Sequence, residues 1–201
     1  AGVAELRPEA RYNQDAVLIS KKFALGVDIL NIIVEAGPSA CTTSYKAMET
    51  IDRFAWHMSN VEGVEQVMSL PMAAKLVNAG WNDGSVRWRV LPRDRDTLRQ
   101  STQSFETDSG LLNVDCSSIP VTVFTSDHQS STIDRVVDET KKFREENKSY
   151  RADFAQWRAQ QVKAAQDKGE EFTTDEVNFR LATGSLGVAA AINDTVRDKE
   201  H

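Results

Sequence analysis

The sequence predicts an α+β fold built from two strand–helix–strand units in tandem. Three observations predict it. Apolar, β-branched runs at 27–35 and 64–70 flank a stretch of helical periodicity. A second pair of strand patterns, 118–125 and 177–183, flanks another helical stretch at 131–147. Gly26, Gly37-Pro38, Gly63 and Pro71 bound the first of these units, and neither helical stretch, 44–60 or 131–147, holds a glycine or proline.

In chain order, residues 13–25 read as a helix, with Val17, Leu18, Phe23 and Leu25 apolar and Gly26 as its stop. Residues 27–35 (VDILNIIVE) read as a buried strand ended by Gly37-Pro38. The helix at 44–60 is capped by Thr43 or Ser44. Met48, Ile51, Phe54, Ala55 and Met58 recur at three- and four-residue spacing and form its apolar stripe. The strand at 64–70 follows Gly63 and ends at Pro71.

An irregular insert occupies 72–110. It holds short helices at 72–78 and 94–102 around the turn cluster Gly80-Trp81-Asn82-Asp83-Gly84. Residues 111–115 and 118–125 read as two strands joined by a tight turn. Pro120 inside the second places it at an edge or a bulge. The helix at 131–147 carries Ile133, Val136, Val137 and Phe143 on one side. A polar helical insert at 150–171 has Tyr150, Phe154, Trp157 and Val162 as its sizeable apolar residues, and Gly169 ends it. The strand at 177–183 and a helix at 186–197 close the chain. Without the inserts, the halves 27–71 and 111–183 give the split βαβ, ferredoxin-like pattern in a single domain of 201 residues.

Composition narrows the function. The charged fraction of 27% and hydrophobic fraction of 40% are ordinary for a soluble globular protein. A net charge of −6, with Lys and Arg interspersed among Asp and Glu, argues against nucleic acid and against an anionic membrane surface. No apolar run approaches the ~18 residues of a membrane span, and the chain opens without a signal-peptide core. Both ends read as cut points in a longer polypeptide.

Catalytic motifs are missing from the sequence. His57, His128 and His201 stand outside any metal spacing, and His57 reads as a surface or packing residue. There is no nucleophile elbow, and no phosphate-binding loop or dinucleotide fingerprint. Gly184-Ser185-Leu186-Gly187 reads as a strand-to-helix turn. The pairs Asp94/Asp96 and Glu145/Glu146 sit in charge-dense segments where nothing apolar tunes an acid. An enzyme is therefore not expected, nor a cofactor or a metal.

Trp81, Arg87, Trp88 and Arg89 form one local cluster that either anchors the insert or lines a ligand groove. Cys41 and Cys116, both in turn-like contexts beside strand patterns, are either two buried thiols or one disulfide. A bridge over so long a loop contributes roughly 4 kcal/mol in the chain-entropy account.

The chain also resembles a family. The segments that carry the likeness are RYNQDAVLISKKFALGVDILNIIVEA (11–36), AMETIDRFAWHMSNVEGVEQVMSLP (47–71), AGWNDGSVRWRVLPR (79–93), GLLNVDCSSIPVTVFTSDH (110–128) and FRLATGSLGVAAAINDTV (179–196). In order and extent they resemble the first large periplasmic loop of resistance-nodulation-division (RND) exporters, in the branch with the mycobacterial large membrane protein (MMPL) and hydrophobe exporters.

The resemblance implies a porter domain of a bacterial inner-membrane protein, lying in the periplasm. Its ends 1–26 and 184–201 would lead into membrane helices. Hydrophobic or amphiphilic molecules, lipids included, would be carried at the expense of the proton gradient by rocking of the halves around a cleft. The partners implied are the transmembrane helices and the second periplasmic loop of the parent, with a homo-oligomer as a further possibility. The oxidising setting implies the Cys41–Cys116 disulfide. The competing expectation is a free-standing periplasmic binding or adaptor protein of ferredoxin-like fold.

Overall fold

The computed structural model describes residues 28–103, 105, 111–127 and 129–181. The helices expected at 13–25 and 186–197, the turn at Gly184, and His128 and His201 lie outside the described residues.

Four strands form one antiparallel sheet: β1 (Asp28–Glu35), β2 (Val64–Met68), β3 (Ser118–Thr125) and β4 (Asn178–Leu181), in the order β2-β3-β1-β4. β1 runs antiparallel to both β3 and β4, and β3 antiparallel to β2. Consequently β1 and β2 are parallel to each other, separated by β3, as a helical crossover between them requires. The fold is α+β.

Six helices are described: α1 (Ala40–Thr43), α2 (Tyr45–Ser59), α3 (Leu70–Gly80), α4 (Arg95–Gln103), α5 (Ser130–Asn147) and α6 (Phe154–Gln166), with a 3₁₀ turn at Val86–Trp88. The stripe expected on α2 is its buried face: Met48, Ile51, Phe54, Ala55 and Met58 are all enclosed. Ser44 caps that helix, its Oγ accepting from the Ala47 N–H at 3.0 Å and donating to Asp175 Oδ1 at 2.6 Å.

The strands alternate. Leu30, Ile32 and Val34 of β1 and Ile119, Val121 and Val123 of β3 are buried, while the residues between them are half-buried. Phe54 of α2, Phe143 of α5 and Phe179 of β4 meet ring to ring, with centroids 5.1, 4.5 and 5.4 Å apart. This trio ties the crossover helix of each half to the same edge of the sheet.

Three local expectations need correction. Pro71 does not simply stop β2; the strand ends at Met68, and Pro71 sits in the first turn of α3, where a missing N–H costs nothing. Residues 111–115 are not a strand. Asn113 takes its backbone into a turn: its C=O accepts from the Cys116 N–H at 3.1 Å, its Oδ1 from the Ser118 N–H at 2.9 Å, and Cys116 has φ 54°. β3 is a central strand and not an edge. Pro120 is accommodated because pairing with β2 has already ended at Met68↔Thr122, leaving only β1 beside it. The one irregularity of that ladder falls elsewhere, between Val64 and Gln66.

The helical insert is shorter than 150–171 and is fastened to the sheet. Phe154 is buried, and Trp157 meets Phe172 edge-on at 5.9 Å. Arg158 Nη1 donates to the carbonyls of Ala36 (2.8 Å) and Ser117 (2.9 Å), where β1 ends and β3 begins. Gly63 enters β2 at φ +89°, and an added Cβ would lie 2.7 Å from Thr132 Cγ2, so glycine is required at that turn.

Candidate functional site

The 81–99 region is where chemistry-bearing side chains gather. α3 ends at Gly80, and the chain turns through Asp83 (φ 57°) and Gly84 (φ 71°), with the Gly84 N–H bonding to Ala79 O at 2.9 Å. Asn78, buried at the end of α3, holds the 88–90 segment from beneath. Its Nδ2 donates to the carbonyls of Trp88 (2.9 Å) and Val90 (3.1 Å). Leu91 and Leu98 go into the core. The insert is therefore fastened by Asn78, Leu91 and Leu98.

The cluster singled out in the sequence stays at the surface. Trp81 is 52% exposed and Trp88 47%, and Arg87 and Arg89 are exposed beside them. Trp88 and Arg89 line a cleft of about 620 Å³ whose other walls include Tyr45, Asp52, Lys75 and Arg93; Trp81 and Arg87 lie outside it. Within the cleft Lys75 pairs with Asp52 at 2.7 Å, and the Arg93 guanidinium lies over the Tyr45 ring at 5.8 Å. Its walls thus combine aromatic and cationic side chains with three carboxylates, Asp52 paired with Lys75, Glu49 with Arg53 at 2.7 Å, and Asp94 bonded to Thr97. A second cleft, of about 530 Å³, lies between α1, α4 and the 162–173 stretch and is lined by Thr42, Arg99, Glu170 and Phe172.

The remaining candidates have structural partners. Asp94 caps α4: its Oδ2 accepts from the Thr97 N–H (2.9 Å) and hydroxyl (2.8 Å), and these bonds hold its carboxyl below the ordinary value. Asp96 pairs with Arg99 one turn on, at 3.6 Å. Glu145 and Glu146 are solvated on α5. His57 Nε2 meets Glu139 Oε2 at 2.7 Å, linking α2 to α5.

Cys41 and Cys116 form a disulfide, with Cα atoms 5.6 Å apart across a sequence separation of 75. It fastens α1 to the turn before β3. The Ala36 N–H to Ser117 O bond (2.9 Å) and the Ser39 N–H to Asp115 O bond (2.6 Å) fasten the same two segments. Asp115 Oδ1 accepts from Ser117 Oγ (2.6 Å), Ser117 N (3.2 Å) and Asn113 Nδ2 (2.9 Å). Partial burial pushes this carboxyl up, but the bonds from Ser117 and Asn113 together outweigh it and hold it below the ordinary value.

Sequence reasoning missed Asn78 and Arg158, the two polar side chains that fix the inserts. A lone Asn at a helix end and an Arg in a polar helix carry no signal that distinguishes them from solvated residues. No described helix is long and apolar enough to cross a membrane. No family model, no curated protein and no solved structure matches the chain.

Proposed function

We propose that the chain is the periplasmic porter domain of an RND-type exporter of the MMPL and hydrophobe-exporter branch, with a ferredoxin-like sheet. The observation that carries the reading is where the chain enters and leaves that sheet. β1 and β4 are antiparallel neighbours, so β1 starts and β4 ends towards the same end of the sheet, with the last β4 residue, Leu181, opposite Ile32, four residues in from the start of β1. An insert between two membrane helices needs such paired roots. The strand order β2-β3-β1-β4, with a helix crossing over within each half, is the order of the split βαβ pattern and supports the ferredoxin-like reading. The disulfide fits an oxidising compartment.

On this reading the domain contributes contacts to hydrophobic or amphiphilic cargo, and the cleft between Tyr45, Trp88 and Arg93 is its binding surface. Transport is driven by the proton gradient through membrane helices. The test is the parent gene. A span-length apolar segment is expected within a short distance upstream of Ala1 and another downstream of His201. A parent polypeptide with neither overturns the proposal.

A further inference from the structure

The stretch from Asp83 to Val90 is exposed at every residue. Its apolar side chains are large and close together: Val86 is 81% exposed, Trp88 47% and Val90 50%, with Trp81 at 52% just before the turn. Arginines alternate with them in the run Val86-Arg87-Trp88-Arg89-Val90, and Arg93 and Arg95 follow, also exposed. Neither Arg87 nor Arg89 has an ion-pair partner among the described residues. The chain carries net charge −6, yet residues 81–99 hold five arginines against three aspartates. Between Asp83 and Asp94 the chain holds Arg87, Arg89 and Arg93 and no carboxylate.

The backbone beneath is fixed. Both carbonyl bonds from Asn78 fall under the run, so its backbone is ordered before docking. The exposed apolar area is on the order of 400 Å². Counted on both partners that is about 800 Å², below the ~1,200–2,000 Å² of a stable protein–protein interface. It suits shallow insertion at a lipid surface, where tryptophans sit at headgroup depth and arginines meet phosphate.

We propose that the 81–95 loop docks on an anionic bilayer surface, with Trp81, Val86, Trp88 and Val90 entering the headgroup region and Arg87 and Arg89 contacting lipid phosphates. The inference goes beyond the exporter reading and does not rest on it. A parent without membrane segments sinks that reading and leaves this one standing.

The test is vesicle flotation of the full 201-residue chain. Vesicles of equimolar phosphatidylcholine and phosphatidylglycerol are expected to carry it, and phosphatidylcholine alone to bind at least about tenfold more weakly. The double variant Arg87→Gln/Arg89→Gln should lose about fivefold affinity per arginine, and Val86→Ser/Trp88→Ser at least about tenfold. Arg87 and Arg89 are exposed, so the melt of the arginine variant should overlay that of the unsubstituted chain; Trp88 is half-covered, so the Val86→Ser/Trp88→Ser variant should melt lower and its flotation is read at a temperature where its melt shows it folded. The proposal is overturned if the chain floats equally with both vesicle types, if it floats with neither, or if the variants float like the parent. Sedimentation gives the competing occupant: self-association that Trp88→Ser abolishes, without vesicle binding, assigns the patch to a second copy and likewise overturns the proposal.

Discussion

Breaking the disulfide is the most informative perturbation of this fold. The Cys41–Cys116 bridge closes a loop with a sequence separation of 75. That loop contains α2, β2, α3 and α4, and so the crossover helix and second strand of the first half together with its insert, while β1 lies outside it. The chain-entropy relation gives about 4.5 kcal/mol for a loop of that length. Both residues are buried, at 2% and 7% exposure, so the reduced thiols occupy the same packed site and the native state loses little. The effect therefore falls on the unfolded chain, which becomes less compact and exposes more surface.

Urea unfolding of the oxidised chain, and of chain reduced while denatured and refolded, gives two readouts. The midpoint should fall by about 2 M on reduction, for a slope near 2 kcal/mol/M. The slope should rise, because the oxidised unfolded state is the more compact one. Intact mass reports the bridge itself, rising by two hydrogens on reduction. A midpoint shift below about 0.5 M with an unchanged slope would refute the reasoning, since it would mean that the loop is held together equally well in the unfolded state without the bond.

Three further outcomes are expected. Ser44→Ala should cost about 1–2 kcal/mol, because Ser44 Oγ bonds both the Ala47 N–H and Asp175; Ser69→Ala at the start of α3 should cost under about 0.5 kcal/mol, because Ser69 Oγ is buried with no partner among the described residues; parallel urea titrations compare them. Phe54→Ala should cost about 3–5 kcal/mol, because Phe54 is fully buried and touches both Phe143 and Phe179, and a milder loss by thermal melt would show that the trio collapses around the gap. The Asp115 carboxyl should titrate below 3.8 by NMR; with its folded value depressed, its contribution to stability is present above 3.8 and is lost as pH falls below that, a loss that Asp115→Asn should remove.

Much of the sheet and its two crossover helices was legible because periodicity and burial coincide there. The spacing of Met48, Ile51 and Phe54 points to one face, and that face is buried. The signal failed where a side chain competes with the backbone ladder. Leu111–Asp115 alternates like a strand, but Asn113 and Asp115 bond the local backbone and turn it. Asn and Asp two residues apart before a Cys-Ser-Ser run were the available warning. Pro120 misled for a different reason: sequence shows a proline in a strand, but not that the neighbouring strand has already stopped. At the surface, Trp81 and Trp88 invited an anchoring role because a long irregular insert needs anchors. Asn78 holds the insert instead, through bonds to the Trp88 and Val90 carbonyls that no local pattern encodes.

The pairing of β1 with β4 also sets how the domain bears load. The described chain begins at Asp28 of β1 and ends at Leu181 of β4, opposite Ile32, towards the same end of two adjacent antiparallel strands. Tension applied through those two roots would peel β4 from β1 one rung at a time, beginning at Ile32↔Leu181, and not load all the rungs at once. Four paired positions resist it, and the last of them, Glu35↔Asn178, is reinforced by the Asn178 Nδ2 bond to Glu35 (2.8 Å) and by Arg180 (3.4 Å). Peeling would therefore begin softly and stall at that carboxylate, a compliant root with a built-in stop.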